Sequence, residues 1–518
     1  MTVTSFEFLL LITLGAIIYY VIPKKLQWME LLLLSLIFYF LAANPLTISY
    51  LIIVTAIAYI STLAIDFFRK DNEKAKYSYS LAIISIVLII LIWFVVKGRG
   101  LWYPVIVRIL RIVNPLYVDK LDGFQLISAL GMGYYTLQVL GYIIDCYWEN
   151  VKPQKNPFKL FLFVAYFPQL TTGPISRYYN LESLYEPHSF DYSRICFGAQ
   201  RILWGFFKKI VIAERVGVIV SGIMGDPEGY YGLYSWIAVL LYPIQMYTDF
   251  SGCMDIVLGT SEIFGISLAE NFNNPFFART SQEFWQRWHI TLGTWAKDYV
   301  LFPLLKCPSM VKFGKYTRKK FGRIWGGFIK NCVGMFCLWM VMGMWHGGYR
   351  YIVGVSLWYW IILMLGNLLM PISTNISQKL EIKTESFGWH LFQSIRTYFI
   401  YAIGAVFFTS GVQKGLSVIK DCADTIFVKG YANPWVLFDE SILNLGIEFK
   451  DINIIVFGII VLAIVGVLRE KYGYARNWMK QQPFLFRWFV WILLFGIILI
   501  FGQYGPGYDA TTFIYQGF

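Results

Sequence analysis

Residues 79–97 read YSLAIISIVLIILIWFVVK, and no charged side chain precedes Lys97 at the end of this stretch. A helix needs about 20 consecutive apolar residues to cross the hydrocarbon core of a bilayer, so the stretch predicts a membrane-spanning helix. Apolar runs of comparable length recur along the chain, at 6–22, 28–43, 47–68, 124–147, 158–175, 197–221, 231–260, 327–345, 350–370, 391–411, 452–468 and 484–503.

Hydrophobic residues make up 57% of the 518 residues and charged residues only 14%, which is more apolar surface than a soluble fold of this size can bury. The composition predicts an all-α integral membrane protein, a multi-pass helical bundle with about 10–13 transmembrane helices. Charges interrupt the stretches 101–118 and 281–305, so we expect interfacial or re-entrant helices there. The run 6–22 lacks a basic leading segment and a small-residue cleavage site, and we expect it to remain as the first span.

The net charge of +13 comes from lysines and arginines in the connections between apolar runs. Such connections stay in the cytoplasm, which explains the charge without nucleic-acid binding. Counting spans from the basic connections places the N-terminus and the 412–451 loop outside the cell. The connections used for this count are Lys24 with Lys25, 69–76, 152–159 and 306–330.

Seven cysteines form no CxxC pair and show no Cys/His ligand spacing, so we expect neither a metal site nor a disulfide framework. The chain has only four histidines, the residue type best suited to proton transfer near neutral pH. Two of them, His188 and His390, lie in or beside polar connections, and we expect ordinary interfacial roles for both.

His346 lies in the segment MVMGMWHGG at 340–348, at the far end of an apolar helix that begins near Gly327. At about 1.5 Å per residue this helix advances roughly 28 Å, most of the way through the hydrocarbon. An ionisable group there is a functional hypothesis by default, with a helix-packing hydrogen bond as the alternative. Gly347 and Gly348 allow the helix to end and a ligand to approach the backbone.

His289 lies in the segment ARTSQEFWQRWHITL at 278–292, where Thr280 and Glu283 indicate a capping box. The pattern predicts an interfacial helix with His289 at the edge of its aromatic face, beside either a substrate tunnel or the lipid headgroups. The aromatic face consists of Trp285, Trp288, Leu292, Trp295 and Tyr299, opposite Gln286, Arg287 and Lys297.

Asp249 and Asp255 lie within the apolar run 231–260 and must have partners there. Structural salt bridges to Arg279 or Arg287 are at least as plausible as a role in proton handling.

Four motifs follow one another along the chain: DFSG at 249–252, ENF at 270–272 with Pro275, FWQRWH at 284–289 and WHG at 345–347. Together they resemble the membrane-bound O-acyltransferase family, specifically its bacterial branch of alginate O-acetyltransferases and teichoic-acid D-alanyltransferases. Two positions depart from that branch: Cys253 replaces a common serine or tyrosine, and 407–409 reads FFT in place of Phe-Phe-Arg. Other similar stretches are GYYTLQ at 133–138, 142–145, FPQLTTGPI at 167–175, GFFKK at 205–209 and 509–518 with FIY at 513–515.

The resemblance implies acyl transfer with His346 as the essential catalytic residue and His289 in support. Burial would keep both imidazoles neutral and able to accept a proton. It also implies one membrane domain over 1–518, with the family motifs at about 125–370 and additional C-terminal helices at 386–518. The residues expected to line or support a substrate tunnel are Trp345, Asp249, Ser251, Asn271, Trp285, Arg287 and Trp288.

The reaction implied is transfer of acetyl, or a similar short acyl group, across the bacterial cytoplasmic membrane. The donor would be a cytoplasmic thioester, acetyl-CoA or an acyl carrier protein, with no permanently bound cofactor. The acceptor would be an extracellular polysaccharide, reached directly or through a serine-hydrolase-like partner. A basic cluster on the donor side either binds the donor or only sets topology; it comprises Lys315, Arg318, Lys319, Lys320 and Arg323. The alternatives are D-alanyl transfer to teichoic acid and, in another class, a transporter or lipid flippase.

Overall fold

The computed structural model describes residues 1–71, 73–113, 118, 127, 129–428 and 441–505, with only the backbone of 409 and 410. Regular structure in these residues is helical, apart from one isolated antiparallel bridge between Phe272 and Trp288. This confirms the predicted all-α fold class. The motif predicted at 509–518 lies outside the described residues.

The helices in chain order are Phe6–Val21, Lys24–Leu26, Gln27–Ala42, Pro45–Thr47, Ile48–Arg69, Ala75–Val96, Arg99–Val113, Met132–Tyr147, Pro157–Ala165, Phe167–Leu170, Tyr178–Asn180, Glu182–Tyr185, Tyr192–Phe206, Phe207–Ala213, Glu214–Gly225, Leu233–Ile263, Pro275–Phe277, Ser281–Arg287, Ile290–Ala296, Lys297–Leu301, Phe302–Lys306, Pro308–Trp345, Tyr349–Tyr351, Ile352–Leu357, Trp358–Lys379, Phe387–Phe427, Ser441–Leu445, Phe449–Tyr472, Ala475–Lys480 and Phe484–Phe501.

The outer helices carry large apolar side chains that face away from the protein, such as Ile60 and Leu485, which are 67% and 80% exposed. Exposed apolar surface on this scale requires a lipid environment, so the chain is a multi-pass membrane protein. Within the described ranges, eight helical segments are long and apolar enough to cross a bilayer: Lys24–Ala42, Pro45–Arg69, Ala75–Val96, Pro308–Trp345, Tyr349–Lys379, Phe387–Phe408, Phe449–Tyr472 and Phe484–Phe501.

The centre of the bundle is a close packing of Tyr192–Phe206 against Leu233–Ile263. A Cβ added at Gly198 would lie 2.6 Å from the carbonyl oxygen of Gly259, and one at Gly205 would lie 2.6 Å from that of Gly252. Small residues at these positions let two backbones touch, which is how helices associate closely inside a membrane.

One predicted apolar run does not form a single span. Residues 158–175 divide into Pro157–Ala165 and Phe167–Leu170 because the backbone of Tyr166 leaves the helical region, at φ −50° and ψ 111°. Pro168 follows two residues after Tyr166, and it lacks the amide hydrogen that would bond to a carbonyl of the preceding helical turn. The run 158–175 is therefore a broken, buried segment and not a single span.

The helix Pro308–Trp345 reverses direction at Gly322, whose backbone is at φ 79° and ψ 172°. A Cβ added at Gly326 would lie 2.4 Å from the amide nitrogen of Arg318, and the Thr317 hydroxyl donates to the carbonyl of Gly326 at 2.9 Å. The residues on both sides of the reversal, 306–330, are called the basic hairpin below. The second leg, 323–345, is the apolar helix predicted to end at His346.

Candidate active site

His289 lies at a break between two short helices. Thr280 caps the first helix, Ser281–Arg287, and its hydroxyl accepts from the amide of Glu283 at 3.1 Å. His289 then adopts a left-handed backbone, at φ 46° and ψ 51°, and the second helix starts at the next residue. The predicted helix start is confirmed, but the continuous interfacial helix through the aromatic face is wrong.

The aromatic face of this segment packs inside the protein. Phe284 is 1% exposed and Trp288 is 2% exposed. Trp288 lies with its ring centre 5.1 Å from that of Phe272 and 5.2 Å from that of Tyr401. The rings therefore form part of the core, which excludes the headgroups, one of the two alternatives that the sequence left open for this face.

Asn271 fixes the orientation of His289. Its Oδ1 accepts from the amide of Thr291 at 3.0 Å and from the Thr291 hydroxyl at 2.9 Å, and it lies 3.2 Å from Nδ1 of His289. A backbone amide can only donate, so the atom of Asn271 at this point is an oxygen. Nδ1 of His289 therefore carries the proton, and Nε2 carries the lone pair.

The backbone around Asn271 and His289 is tied together as well. Ile290 donates its amide to the carbonyl of Asn271 at 3.0 Å. This bond lies next to the bridge between Phe272 and Trp288. His289 is only 3% exposed, and burial lowers its pKa because the charged imidazolium loses solvation. The imidazole is thus held neutral, in one tautomer and in one orientation.

His346 caps the end of the helix that starts after Gly322. Its amide donates to the carbonyl of Gly343 at 3.2 Å, and Gly347 then takes φ 82°, which ends the helix. A Cβ added at Gly100 would lie 2.3 Å from the carbonyl oxygen of Gly347. The turn after His346 is therefore pressed against the segment that follows the helix Ala75–Val96.

Aromatic rings surround the imidazole of His346, which is 7% exposed. The ring centre of Tyr351 lies 5.0 Å away, and that of Phe408 lies 5.8 Å away. Sequence reasoning missed both residues. Tyr351 follows His346 by five residues, in the short helix after the turn at Gly347, and Phe408 lies within the motif 407–409, whose Thr409 side chain is outside the described residues.

Trp345 brings the two predicted catalytic histidines together. Its indole centre lies 6.1 Å from the ring of His289 and 4.8 Å from the ring of His346. The indole nitrogen donates to the carbonyl of Gly133 at 2.9 Å, which fixes the ring in place. Two imidazoles from separate parts of the chain therefore flank one anchored indole.

The other predicted support residues lie at different distances from this pair. Phe250, between Asp249 and Ser251, has its ring centre 5.0 Å from that of His289. Trp285 packs away from the pair, with ring centres 4.9 Å from Trp339 and 4.6 Å from Tyr359. Asn271 and Trp345 are thus the predicted support residues for which the structure describes direct contact with the histidines.

The buried carboxylates have partners that differ from those predicted. Asp249 pairs with Lys209 at 2.6 Å, and Asp255 pairs with Lys208 at 2.6 Å and with Arg201 at 2.9 Å. Lys208 and Lys209 are adjacent in the π-helical turn Phe207–Ala213, which directs both side chains inward. Structural salt bridges were therefore the better interpretation of the two carboxylates.

The predicted partners of these carboxylates are engaged elsewhere. Arg287 pairs with Glu283 at 2.8 Å and also with Glu470. The prediction that Arg279 or Arg287 neutralises the buried aspartates is wrong because Arg201, Lys208 and Lys209 reach them from the neighbouring core helix.

The basic residues predicted on the donor side lie in the basic hairpin. Lys315, Arg318, Lys319 and Lys320 belong to its first leg, and Arg323 begins the second. About 23 residues of helix, roughly 35 Å, separate Arg323 from His346. Their binding of a donor stays a prediction.

A cavity of about 870 Å³ lies beside the site, and Ser251, Phe272 and Arg287 are among the residues that line it. Phe272 packs on Phe250 at 5.0 Å between ring centres, and Phe250 packs on His289 at the same distance. Two rings therefore stand between this cavity and the imidazole. A tunnel through the histidine pair stays a prediction.

The described residues contain no group of three or more His, Cys, Asp or Glu side chains that could hold a metal ion. The chemistry that the described site offers is proton transfer by neutral imidazoles in a buried aromatic setting. Fold and site together define a multi-pass helical membrane protein with a paired-histidine centre.

Residues 149–316 match the model of MBOAT, the membrane-bound O-acyltransferase family. The chain therefore contains a region of the membrane-bound O-acyltransferase family over residues 149–316, about a third of its length. The matched segment contains His289 and ends before His346. The division into core motifs at 125–370 and added helices at 386–518 stays a prediction.

Curated relatives agree with this assignment. The probable alginate O-acetylase AlgI of Pseudomonas syringae pv. tomato is 27% identical over 286 residues, which cover 55% of this chain and 50% of the relative. The peptidoglycan O-acetyltransferase of Helicobacter pylori is 30% identical, over 37% of this chain and 41% of the relative. The teichoic acid D-alanyltransferase of Bacillus subtilis is 29% identical, over 45% and 60%. The chain spans about half the length of the curated relatives it matches.

Proposed function

We propose that this protein is an O-acyltransferase that moves an acetyl or similar short acyl group from a cytoplasmic thioester toward the hydroxyl of an extracellular polysaccharide. The observation that carries the proposal is the pair of buried imidazoles, His289 and His346, on either side of Trp345. The match of residues 149–316 to the family supports the reaction type, and the names of the relatives support a cell-envelope polymer as the acceptor.

The residues support a balanced sequence of steps. The hydroxyl oxygen attacks the carbonyl carbon of the thioester, the C–O bond forms and the C–S bond breaks. The hydroxyl proton passes to the imidazole of His346, which acts as the general base, and then to the departing thiolate sulfur. His289 offers the lone pair of Nε2 as a fixed acceptor that orients the attacking group.

The orientation that suits this reaction places the basic hairpin in the cytoplasm and His346 toward the outer face, with the N-terminus outside. The donor, acetyl-CoA or an acyl carrier protein, would then meet the acceptor at the histidine pair, and only the acyl group would cross the bacterial cytoplasmic membrane. A serine-hydrolase-like partner would carry the acyl group onward to the polymer.

A second candidate is D-alanyl transfer from a carrier protein to teichoic acid. It is favoured by a relative of that name with 29% identity, close to the values of the O-acetyl relatives. The two candidates are separated by supplying purified protein in vesicles with labelled acetyl-CoA or with a D-alanyl carrier. The donor that is consumed identifies the reaction.

The substitution His346→Ala tests the proposal. We expect acyl incorporation to be abolished because the base is lost, while expression and thermal unfolding stay unchanged. His390→Ala, at a partly exposed histidine outside the site, is the matched control and should keep full activity. Undiminished transfer by His346→Ala would remove the proposed mechanism, and solute flux without thioester consumption would indicate a transporter instead.

A further inference from the structure

The cavity of about 870 Å³ lies between the helical core and the C-terminal helices. One side is formed by the core helix Leu233–Ile263 and the turn Pro275–Phe277, and the other by Phe387–Phe427 and Phe449–Tyr472. Its volume falls within the range of pockets that bury a small-molecule ligand. Phe272 and Phe250 separate this space from His289, so the steps proposed at the histidine pair do not take place in it.

The outer wall of the cavity is aliphatic. Leu391 and Ile395 line it from one helix, and Leu462 and Ala463 line it from the other. Both helices are among the candidate membrane spans, so this wall lies at the depth of the hydrocarbon. An occupant of this part of the cavity is expected to be apolar.

The cations deep in the cavity are already neutralised. Arg201 pairs with Asp255 and Glu270, at 2.9 and 2.7 Å, and Lys208 pairs with the same aspartate. Arg287 is held by two glutamates, as described above. These charges neutralise one another, so they do not require a bound anion.

Three more cations line the cavity: Arg469 and Lys471, in the last turn of Phe449–Tyr472, and Arg279, just before the helix Ser281–Arg287. No carboxylate of the described residues forms an ion pair with any of them. Arg469 is oriented by a hydrogen bond from Nη2 to the carbonyl of Phe272 at 2.9 Å. The cavity thus combines an apolar wall with an uncompensated positive end.

We propose that this cavity binds one anionic phospholipid, with an acyl chain along the aliphatic wall and the phosphate at Arg279, Arg469 and Lys471. Phosphate oxygens match guanidinium donors, and basic pockets between membrane helices take anionic headgroups for this reason. A free phosphate would leave the aliphatic wall without a partner. The site is separate from the histidine pair and does not depend on the proposed acyl transfer.

Filling the apolar wall is the first test. Ala463→Trp places an indole in the cavity, whereas Ile464→Trp places one on the adjacent lipid-facing position, which is 55% exposed and outside the cavity. The full chain is purified in mild detergent from vesicles of equal phosphatidylglycerol and phosphatidylcholine, and bound lipid is counted by native mass spectrometry. We expect wild type and Ile464→Trp to retain one phosphatidylglycerol and Ala463→Trp to lose it.

Removing the charges is the second test. Arg279→Gln combined with Lys471→Gln should abolish the preference for phosphatidylglycerol over phosphatidylcholine. The control is Lys383→Gln, at an exposed lysine in the loop before the helix Phe387–Phe427, and it should keep the preference. Equal retention of both lipids by the wild type would overturn the proposal, and so would equal retention by the two tryptophan variants. Displacement of the lipid by coenzyme A or by inorganic phosphate would also overturn it and assign the cations to a soluble anion.

Discussion

His289 and His346 flank the same indole, but the contacts described around the two rings differ. Polar contacts fix His289: a hydrogen bond to Asn271 sets its tautomer, and the backbone bond from Ile290 to the carbonyl of Asn271 sets its position. Rings and a glycine turn hold His346, with Tyr351 and Phe408 around the imidazole. Packing restricts where a ring lies, whereas a hydrogen bond also decides which nitrogen carries the proton.

One site can therefore contain an imidazole whose tautomer is fixed, His289, beside a second imidazole proposed as the base, His346. Under the proposed function, His289 would present Nε2 as an acceptor in every turnover because its Nδ1 proton is engaged by Asn271. His346 lies at the end of the long apolar helix with Tyr351 and Phe408 around its ring, and we propose it as the group that takes up and releases the proton. This division of roles can be broken by substitutions on either side.

The largest effect after loss of His346 is expected from His289→Gln. Glutamine has similar size and can hydrogen-bond, but it cannot supply an imidazole nitrogen, so the rate of acyl transfer should fall by about 10²–10⁴-fold. The initial rate in vesicles at saturating donor measures the effect, with thermal unfolding as the control for folding. A rate close to that of the wild type would mean that the fixed imidazole takes no part in the reaction.

Substitutions at Asn271 test the polar support directly. Asn271→Leu removes the acceptor of two Thr291 donors and of His289, and each buried donor left without a partner costs about 1–3 kcal/mol. We expect lower thermal stability and a rate reduced by about 10², since a displaced catalytic group loses that much. Both are measured on the purified protein.

Asn271→Asp is the matched variant because it keeps an acceptor oxygen at the same place. A carboxylate there favours the protonated imidazole and raises the pKa of His289 relative to the native protein. The neutral form then dominates only at higher pH, so activity should recover as the pH rises, with stability retained. A pH profile identical to that of the wild type would show that the charge of His289 is irrelevant to transfer.

The smallest effect is expected on the ring side. Phe408→Leu removes one aromatic contact to His346, worth about 0.5–1.5 kcal/mol, so the rate should fall by no more than about tenfold. Tyr351→Phe keeps its ring and should lose less still. A loss as large as that of Asn271→Leu would mean that His346 is held as rigidly as His289, and the comparison would fail.

The sequence predicted the parts of the fold that depend on local composition. The spans 28–43, 47–68 and 79–97 appear as Gln27–Ala42, Ile48–Arg69 and Ala75–Val96, because apolar length alone decides them. The place of His346 at the end of the helix followed from the same arithmetic of rise per residue. The resemblance carried by the four ordered motifs also predicted that both histidines belong to one site.

Long-range pairing decided the parts that the sequence did not predict. The aromatic spacing continues through His289 without interruption, so no local pattern marks the break that the bridge between Phe272 and Trp288 imposes. The choice of Lys208 and Lys209 over Arg287 as partners of the aspartates depends on a π-helical turn in another helix. Charge alone identifies that a partner is needed but not which one.

The left-handed backbone of His289 lowers the stability of the fold but places the imidazole in the site. Glycine adopts this conformation without strain, whereas a residue with a side chain pays about 1 kcal/mol for it. His289→Gly would relieve this strain, but it would also delete a buried ring that contacts Asn271 and Phe250, and the lost packing, about 2–5 kcal/mol, exceeds the gain. Engineering for robustness in this chain has to leave that one strained position alone.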